Sequence, residues 1–218
     1  MNDISNKILK FHAQLDGDDN HRYKSWEHCY TYFTKDTTEL DTACLQMAFY
    51  LASWGMYRGS SFLLWKDYLI HKEVVKHLLS KKHLQRLNFK DTTIEEAKEI
   101  FDLIAWVKNW YQNNIYFVNG EKKKVNVTDT LATKIILGSL GCIPAYDRYF
   151  IDGIRNRGLS YSGLKPANFA TVINFSSFSL PNLKQVKNNQ NQFRRSVPNR
   201  FYLPFLYLLL NRQRAELD

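Results

Sequence analysis

The sequence has little of what would announce a particular chemistry. Only three cysteines occur in 218 residues, at Cys29, Cys44 and Cys142. They are too few and too scattered for a disulfide framework, and no CxxC pair is present to hold zinc. A free cysteine in an apolar helix acts as a small hydrophobe, so a reducing, cytoplasmic setting is the simplest reading. No apolar run is long enough to cross a membrane: Phe201–Leu210 is about half the length a span requires. The first residues, MNDISNKILKFHAQLDGDD, lack the apolar stretch of a secretory signal. No membrane association is therefore expected. The chain contains no HExxH, no GxxxxGK[ST] and no GxSxG, which argues against the commonest hydrolase and nucleotide-binding classes. His71, His77 and His83 are spaced so that successive members fall on different helix faces, and no metal set follows from them. Neither a metal nor a cofactor is expected.

Aromatic residues are plentiful, with 13 Tyr, 14 Phe and 5 Trp. They supply a well-packed core and leave rings over for stacking or for an interface with a protein partner. The formal net charge is +9, and it is unevenly placed. Residues 1–152 hold 20 Lys/Arg against 19 Asp/Glu, whereas residues 153–218 hold 10 against 2. A basic C-terminal third points to a polyanionic partner, nucleic acid first, the alternative being a solvated surface that maintains solubility.

Apolar spacing predicts a mainly α, single-domain bundle over 1–218 with about eight helices. Ile4–Leu15 has helical periodicity. Ser25 is expected to cap a helix through Phe33, and Thr37 or Thr38 to open one that reaches Trp54. Ser60 or Ser61 is expected to cap a long helix, Phe62–Ser80. Thr92-Thr93-Ile94-Glu95-Glu96 holds overlapping capping boxes ahead of a helix to about Trp110. Residues 115–127, IYFVNGEKKKVNV, read either as one small β-hairpin turning at Asn119-Gly120 or as a protruding basic loop. Asn168–Phe178 allows helix or strand, Val186–Arg195 reads as a polar loop, and Phe201–Arg214 as a last apolar helix.

Two helix–glycine–helix stretches carry the candidate sites. In Thr128–Arg155, Gly138 and Gly141 punctuate an apolar helix, and a second helix opens with Tyr146-Asp147-Arg148. Exposed amides at that start, with Lys134 behind and Arg148 just inside, would suit a phosphate or carboxylate. Asp147 is either a helix-N-terminal acid or a catalytic carboxylate, and the whole stretch is either a tight turn or an anion site. The second stretch, Leu51–Leu64, presents Arg58 and Ser60 between glycines and apolar residues. Arg58 either forks onto an anion or ties two helices through their unpaired carbonyls. A joint possibility is that both turns converge on one pocket.

Three resemblances follow. Around Gly138 and Gly141 the chain loosely resembles the helix-hairpin-helix element of DNA repair glycosylases, in which a glycine–hydrophobic–glycine turn grips phosphate and a later aspartate serves catalysis. Here two residues separate the glycines, and Lys134 precedes the turn; the resemblance implies a catalytic Asp147. Arg22 and His28 in HRYKSWEHCYTYF resemble the Arg–His pair of small helical HEPN-class ribonucleases, although Tyr23 stands where that class has a polar residue. At chain level SWEHCYTYF, FYLASWGMYRGSSFLLWKDY and ATKIILGSLGCIPAYDRYF resemble a family of bacterial proteins to which no activity attaches, which implies a bacterial cytoplasmic protein. The resulting expectation is a basic helical protein associated with nucleic acid, in a bacterial defence or mobile-element setting. The alternatives are an enzyme acting on nucleic acid or a phosphorylated substrate, and a protein-interaction module.

Overall fold

The computed structural model describes residues 13–86, 93–156 and 163–164. The fold is mainly α with one small hairpin. In chain order the elements are α1 (Lys24–Thr34), α2 (Leu40–Ser53), two 3₁₀ turns (Phe62–Trp65 and Tyr68–His71), α3 (Lys72–Ser80), a further 3₁₀ turn (Lys82–Arg86), α4 (Ile94–Asn114), β1 (Phe117–Val118), β2 (Glu121–Lys122), α5 (Asp129–Ser139) and α6 (Arg148–Arg155). Residues 13–16 are also helical. The rest of the helix expected from Ile4, most of the basic third 153–218, and the expected segments at 168–178, 186–195 and 201–214 lie outside the described residues.

Helix α5 is the hub. Residues 131–139 are all buried, and α5 packs against α1, α2 and α4. A helix surrounded on every side must be apolar nearly all round, which explains the run LATKIILG, broken only by Thr133 and Lys134. Thr128 begins the helix, its hydroxyl accepting the Leu131 N–H at 3.2 Å. Polar ties hold neighbours to its C-terminal end. The Trp26 indole donates to the Leu137 carbonyl, and the buried Gln85 amide donates to the carbonyls of Phe33 and Ser139. The connection that follows is pinned back on α5: Tyr146 N donates to Thr133 Oγ1, and Thr130 Oγ1 donates to the Tyr146 carbonyl.

Several element starts differ from expectation, each for a local reason. Helix α1 starts one residue before Ser25, whose hydroxyl bonds back to the Arg22 carbonyl instead of capping. The start of α2 is capped by neither Thr37 nor Thr38 but by Glu39, whose carboxylate accepts the N–H groups of Asp41 and Thr42. The single helix expected over Phe62–Ser80 is broken into two 3₁₀ turns and α3. Asp67 accounts for the break: its carboxylate takes the Leu69 N–H at 2.8 Å, an Asx-type bond that competes with continuous helix. The expected capping box is formed by Thr93 and Glu96, and α4 runs on to Asn114. In the hairpin, Asn119 (φ 55°) and Gly120 (φ 77°) both take positive φ, the conformation a type I′ turn requires.

The two glycines of α5 and its end serve close packing. A Cβ at Gly138 would lie 2.4 Å from Cε1 of Tyr50, and one at Gly141 would lie 2.7 Å from Cε2 of Tyr30. Tyr50 is fully buried, so its ring has nowhere to retreat. Replacing Gly138 by alanine is expected to cost about 2 kcal/mol, the overpacking penalty outweighing the gain in helix propensity. Urea denaturation of Gly138→Ala beside Gly138→Ala/Tyr50→Leu checks this: the shortened partner should recover part of the loss. Full stability in the single variant would show that the glycine is not there for the ring.

Candidate functional site

The turn after α2 is held in place by three separate ties. Met56 N donates to the Leu51 carbonyl at 2.8 Å and Gly55 N to the Ala52 carbonyl at 2.9 Å, the paired bonds of a Schellman cap. Gly55 takes φ +73°, which a glycine adopts without penalty. The second tie comes from α5: Lys134 Nζ donates to the Trp54 carbonyl at 3.0 Å and lies 5.7 Å from the centroid of the Trp54 ring. The third is a buried relay. Tyr57 Oη lies 2.8 Å from His71 Nε2, and His71 Nδ1 lies 2.6 Å from Tyr111 Oη.

Proton accounting fixes the relay. Tyr111 is fully buried, and among the described residues its hydroxyl hydrogen has one acceptor within reach, His71 Nδ1. We therefore assign Nε2 as the protonated nitrogen, donating to Tyr57, whose half-buried hydroxyl can turn its own hydrogen outward. Burial holds the His71 imidazole neutral, its pKa down at about 3, and burial pushes the two tyrosines above their ordinary range.

So anchored, the turn presents Arg58, Ser60 and Ser61 to a cleft of about 410 Å³. Its facing wall is the end of the hairpin and the start of α5, from Val118 and Lys123 through Asn126 to Leu131. Among the described residues three cations line this space and no carboxylate does. Arg58, Lys123 and Lys124 form no ion pair among the described residues. Of the lysines elsewhere, Lys81 pairs with Glu99 at 2.7 Å, Lys98 with Asp102 at 2.6 Å and Lys108 with Asp129 at 2.5 Å. Unpaired like charges around one recess make a positive potential that an anion would relieve.

The other expected site residues are placed differently. Lys134 is buried and its ammonium lies 3.7 Å from Asp147 Oδ2. Burial lowers its pKa, the Asp147 charge works in the opposite direction, and the nearby charges of Arg58 and Arg22 lower it further. Asp147 is the N-cap of α6, its Oδ1 accepting the Phe150 N–H at 3.1 Å. Both residues are thus engaged in structure. Gly138 and Gly141 face tyrosine rings, not a ligand space. Arg148 is exposed, its guanidinium 5.1 Å from the ring centroid of Tyr149. The two glycine-bearing stretches therefore touch through Lys134 and Trp54, while the 138–141 turn itself packs on Tyr50 and Tyr30 and Arg58 lines the cleft without Arg148.

Arg22 and His28 have different surroundings. Arg22 lies over the neighbouring Tyr23 ring, where its charge bears on Lys134. His28 lines a shallow groove with Thr31, Gln46 and Phe49. Two cations of the cleft, Lys123 and Lys124, are absent from the set of site residues expected from sequence. They stand in plain view as the lysine run after Asn119-Gly120. Only the fold carries that run to Arg58.

The three cysteines are buried and free. Burial pushes the Cys44 thiol up to about 11 and the Cys142 thiol up to about 12, so neither offers a thiolate at neutral pH. Among the described residues no helix is long and apolar enough to cross a membrane. Comparison with protein-family models, with curated proteins and with solved structures returns no match, so the geometry carries the functional reading.

Proposed function

We propose that this chain binds nucleic acid, and that it does so through the cleft between the 55–61 turn and the hairpin. The observation that carries the proposal is the grouping of Arg58, Lys123 and Lys124 around one recess with no carboxylate on its lining among the described residues. Arg58 supplies a planar fork suited to phosphate oxygens, while the two lysines act as mobile point charges. Ser60 and Asn126 add neutral donors on the same lining. The rigid side of the cleft is the turn tied by His71 and Lys134; the hairpin wall is exposed over residues 119–124. The overall charge of +9 favours a polyanion over a small neutral ligand.

Binding driven by phosphate contacts releases counterions and is steeply salt-dependent. With three phosphate contacts, affinity for a single strand is expected to fall roughly 20-fold between about 50 and 200 mM salt. Fluorescence anisotropy with a labelled oligonucleotide measures this directly. Absent binding, or binding indifferent to salt, would refute the proposal.

A further inference from the structure

We infer that the cleft takes an unstacked nucleotide of a single strand, and that duplexes are poor ligands. This inference rests on the nucleic-acid reading above and deepens it. A duplex hides the faces of its bases and offers a protein only phosphates and groove edges. A site built solely for those would need positive charge on an open surface. This one has charge at its rim and apolar side chains inside: Met56, Phe62, Val125 and Leu131 line the same space as the cations. Phe62 is 4% exposed and Val125 and Leu131 are each 5% exposed, whereas Arg58, Lys123 and Lys124 are exposed, so the apolar side chains lie beneath the cations as a floor. An apolar floor gives a duplex nothing, but it receives the face of a base that has left its stack.

Size and polar chemistry agree with one nucleotide. A volume of about 410 Å³ falls in the range of sites that enclose a single small molecule. Of the neutral polar residues on the lining, Ser61 and Thr128 already accept backbone N–H groups as helix caps. Ser60 and Asn126 make no hydrogen bond among the described residues. The Asn126 amide carries both donors and an acceptor, which is what the edge of an unpaired base requires. The division of labour is then explicit: Arg58, Lys123 and Lys124 hold phosphates, the floor holds the base face, and Asn126 reads the base edge.

The test compares three labelled ligands of one length, about twelve nucleotides, in the range of known single-strand sites. They are a single strand, the duplex of the same sequence, and an abasic strand with the same phosphates. All are titrated at one salt concentration against the full chain. The single strand should bind about tenfold tighter than either of the others, the effect of placing one base against a protein surface. Asn126→Ala, at an exposed position, should narrow that advantage while leaving the salt dependence unchanged. Equal affinity for the duplex, or for the abasic strand, would overturn the inference and leave a phosphate-only site. An Asn126→Ala protein that retained the whole advantage would likewise overturn the placement of the base. Failure of all three ligands to bind would instead remove the nucleic-acid reading itself.

Discussion

Replacing Lys134 by methionine is expected to destabilise the fold by about 3 kcal/mol, the cost of breaking a buried ion pair from one side. The ammonium does two jobs at once. It donates to the Trp54 carbonyl at 3.0 Å, and it faces Asp147 at 3.7 Å with both side chains at least nine-tenths buried. Removing it takes a donor from the Trp54 carbonyl and a neighbouring cation from the buried Asp147 carboxylate. The double variant Lys134→Met/Asp147→Asn should regain much of the loss. The introduced side-chain amide keeps an oxygen for the Phe150 N–H and removes the buried negative charge that Lys134 faced. Urea unfolding at neutral pH measures both proteins. A single variant within about 0.5 kcal/mol of wild type would mean that Lys134 is not the strut that the geometry describes.

The second large effect is a loss of stability on acidification, caused by His71. In the folded protein this imidazole stays neutral down to about pH 3. In the unfolded chain it takes up a proton near pH ~6.5. Between those values the unfolded state binds the extra proton, so stability must fall as pH falls, by at most about 1.4 kcal/mol per pH unit. Between about pH 6.5 and pH 5 most carboxylates are still ionised, which makes that interval the one to read. His71→Gln removes the titrating group while keeping an amide that can reach a tyrosine. Its own stability should be lower at neutral pH, but its slope in that interval should be flatter than that of the wild type. Equal slopes would place the neutral buried histidine in error.

Legibility in the sequence depends on whether the cause of a feature lies nearby in the chain. The capping box at Thr93 and Glu96 and the Asn119-Gly120 turn are decided within a few residues, and each is readable. Asp67 is equally local, yet the apolar spacing of Leu63, Leu64, Leu69 and Ile70 masks it; two 3₁₀ turns and a helix present the same order of apolar residues as one helix. The glycines of the 128–155 stretch are visible, but their reason is not. Gly138 answers to Tyr50 and Gly141 to Tyr30, rings that belong to α2 and α1 and reach them only through the tertiary fold.

The same holds for charge. Lys134 reads in sequence as a cation available to a ligand, and only packing of α5 against the 55–61 turn directs it inward. Lys123 and Lys124 read as part of an exposed basic loop, and only the position of the hairpin beside Arg58 makes them one wall of a cleft. A lysine's surroundings are set by which elements pack around it, and no local pattern encodes that. The candidate site is therefore half legible. Arg58 and Ser60 stand out from their glycine-bearing turn, while their partners come from a different part of the chain than expected.

The most direct measurement is the salt dependence of affinity for one single-stranded oligonucleotide, taken for wild type and for Arg58→Ala/Lys123→Ala/Lys124→Ala. All three positions are exposed, so the fold should survive, which circular dichroism can verify. If phosphates sit in the cleft, the slope of log affinity against log salt becomes shallower by about two units, reflecting three lost contacts. If the variant binds with the wild-type slope, the nucleic acid is held elsewhere and the cleft is not its site.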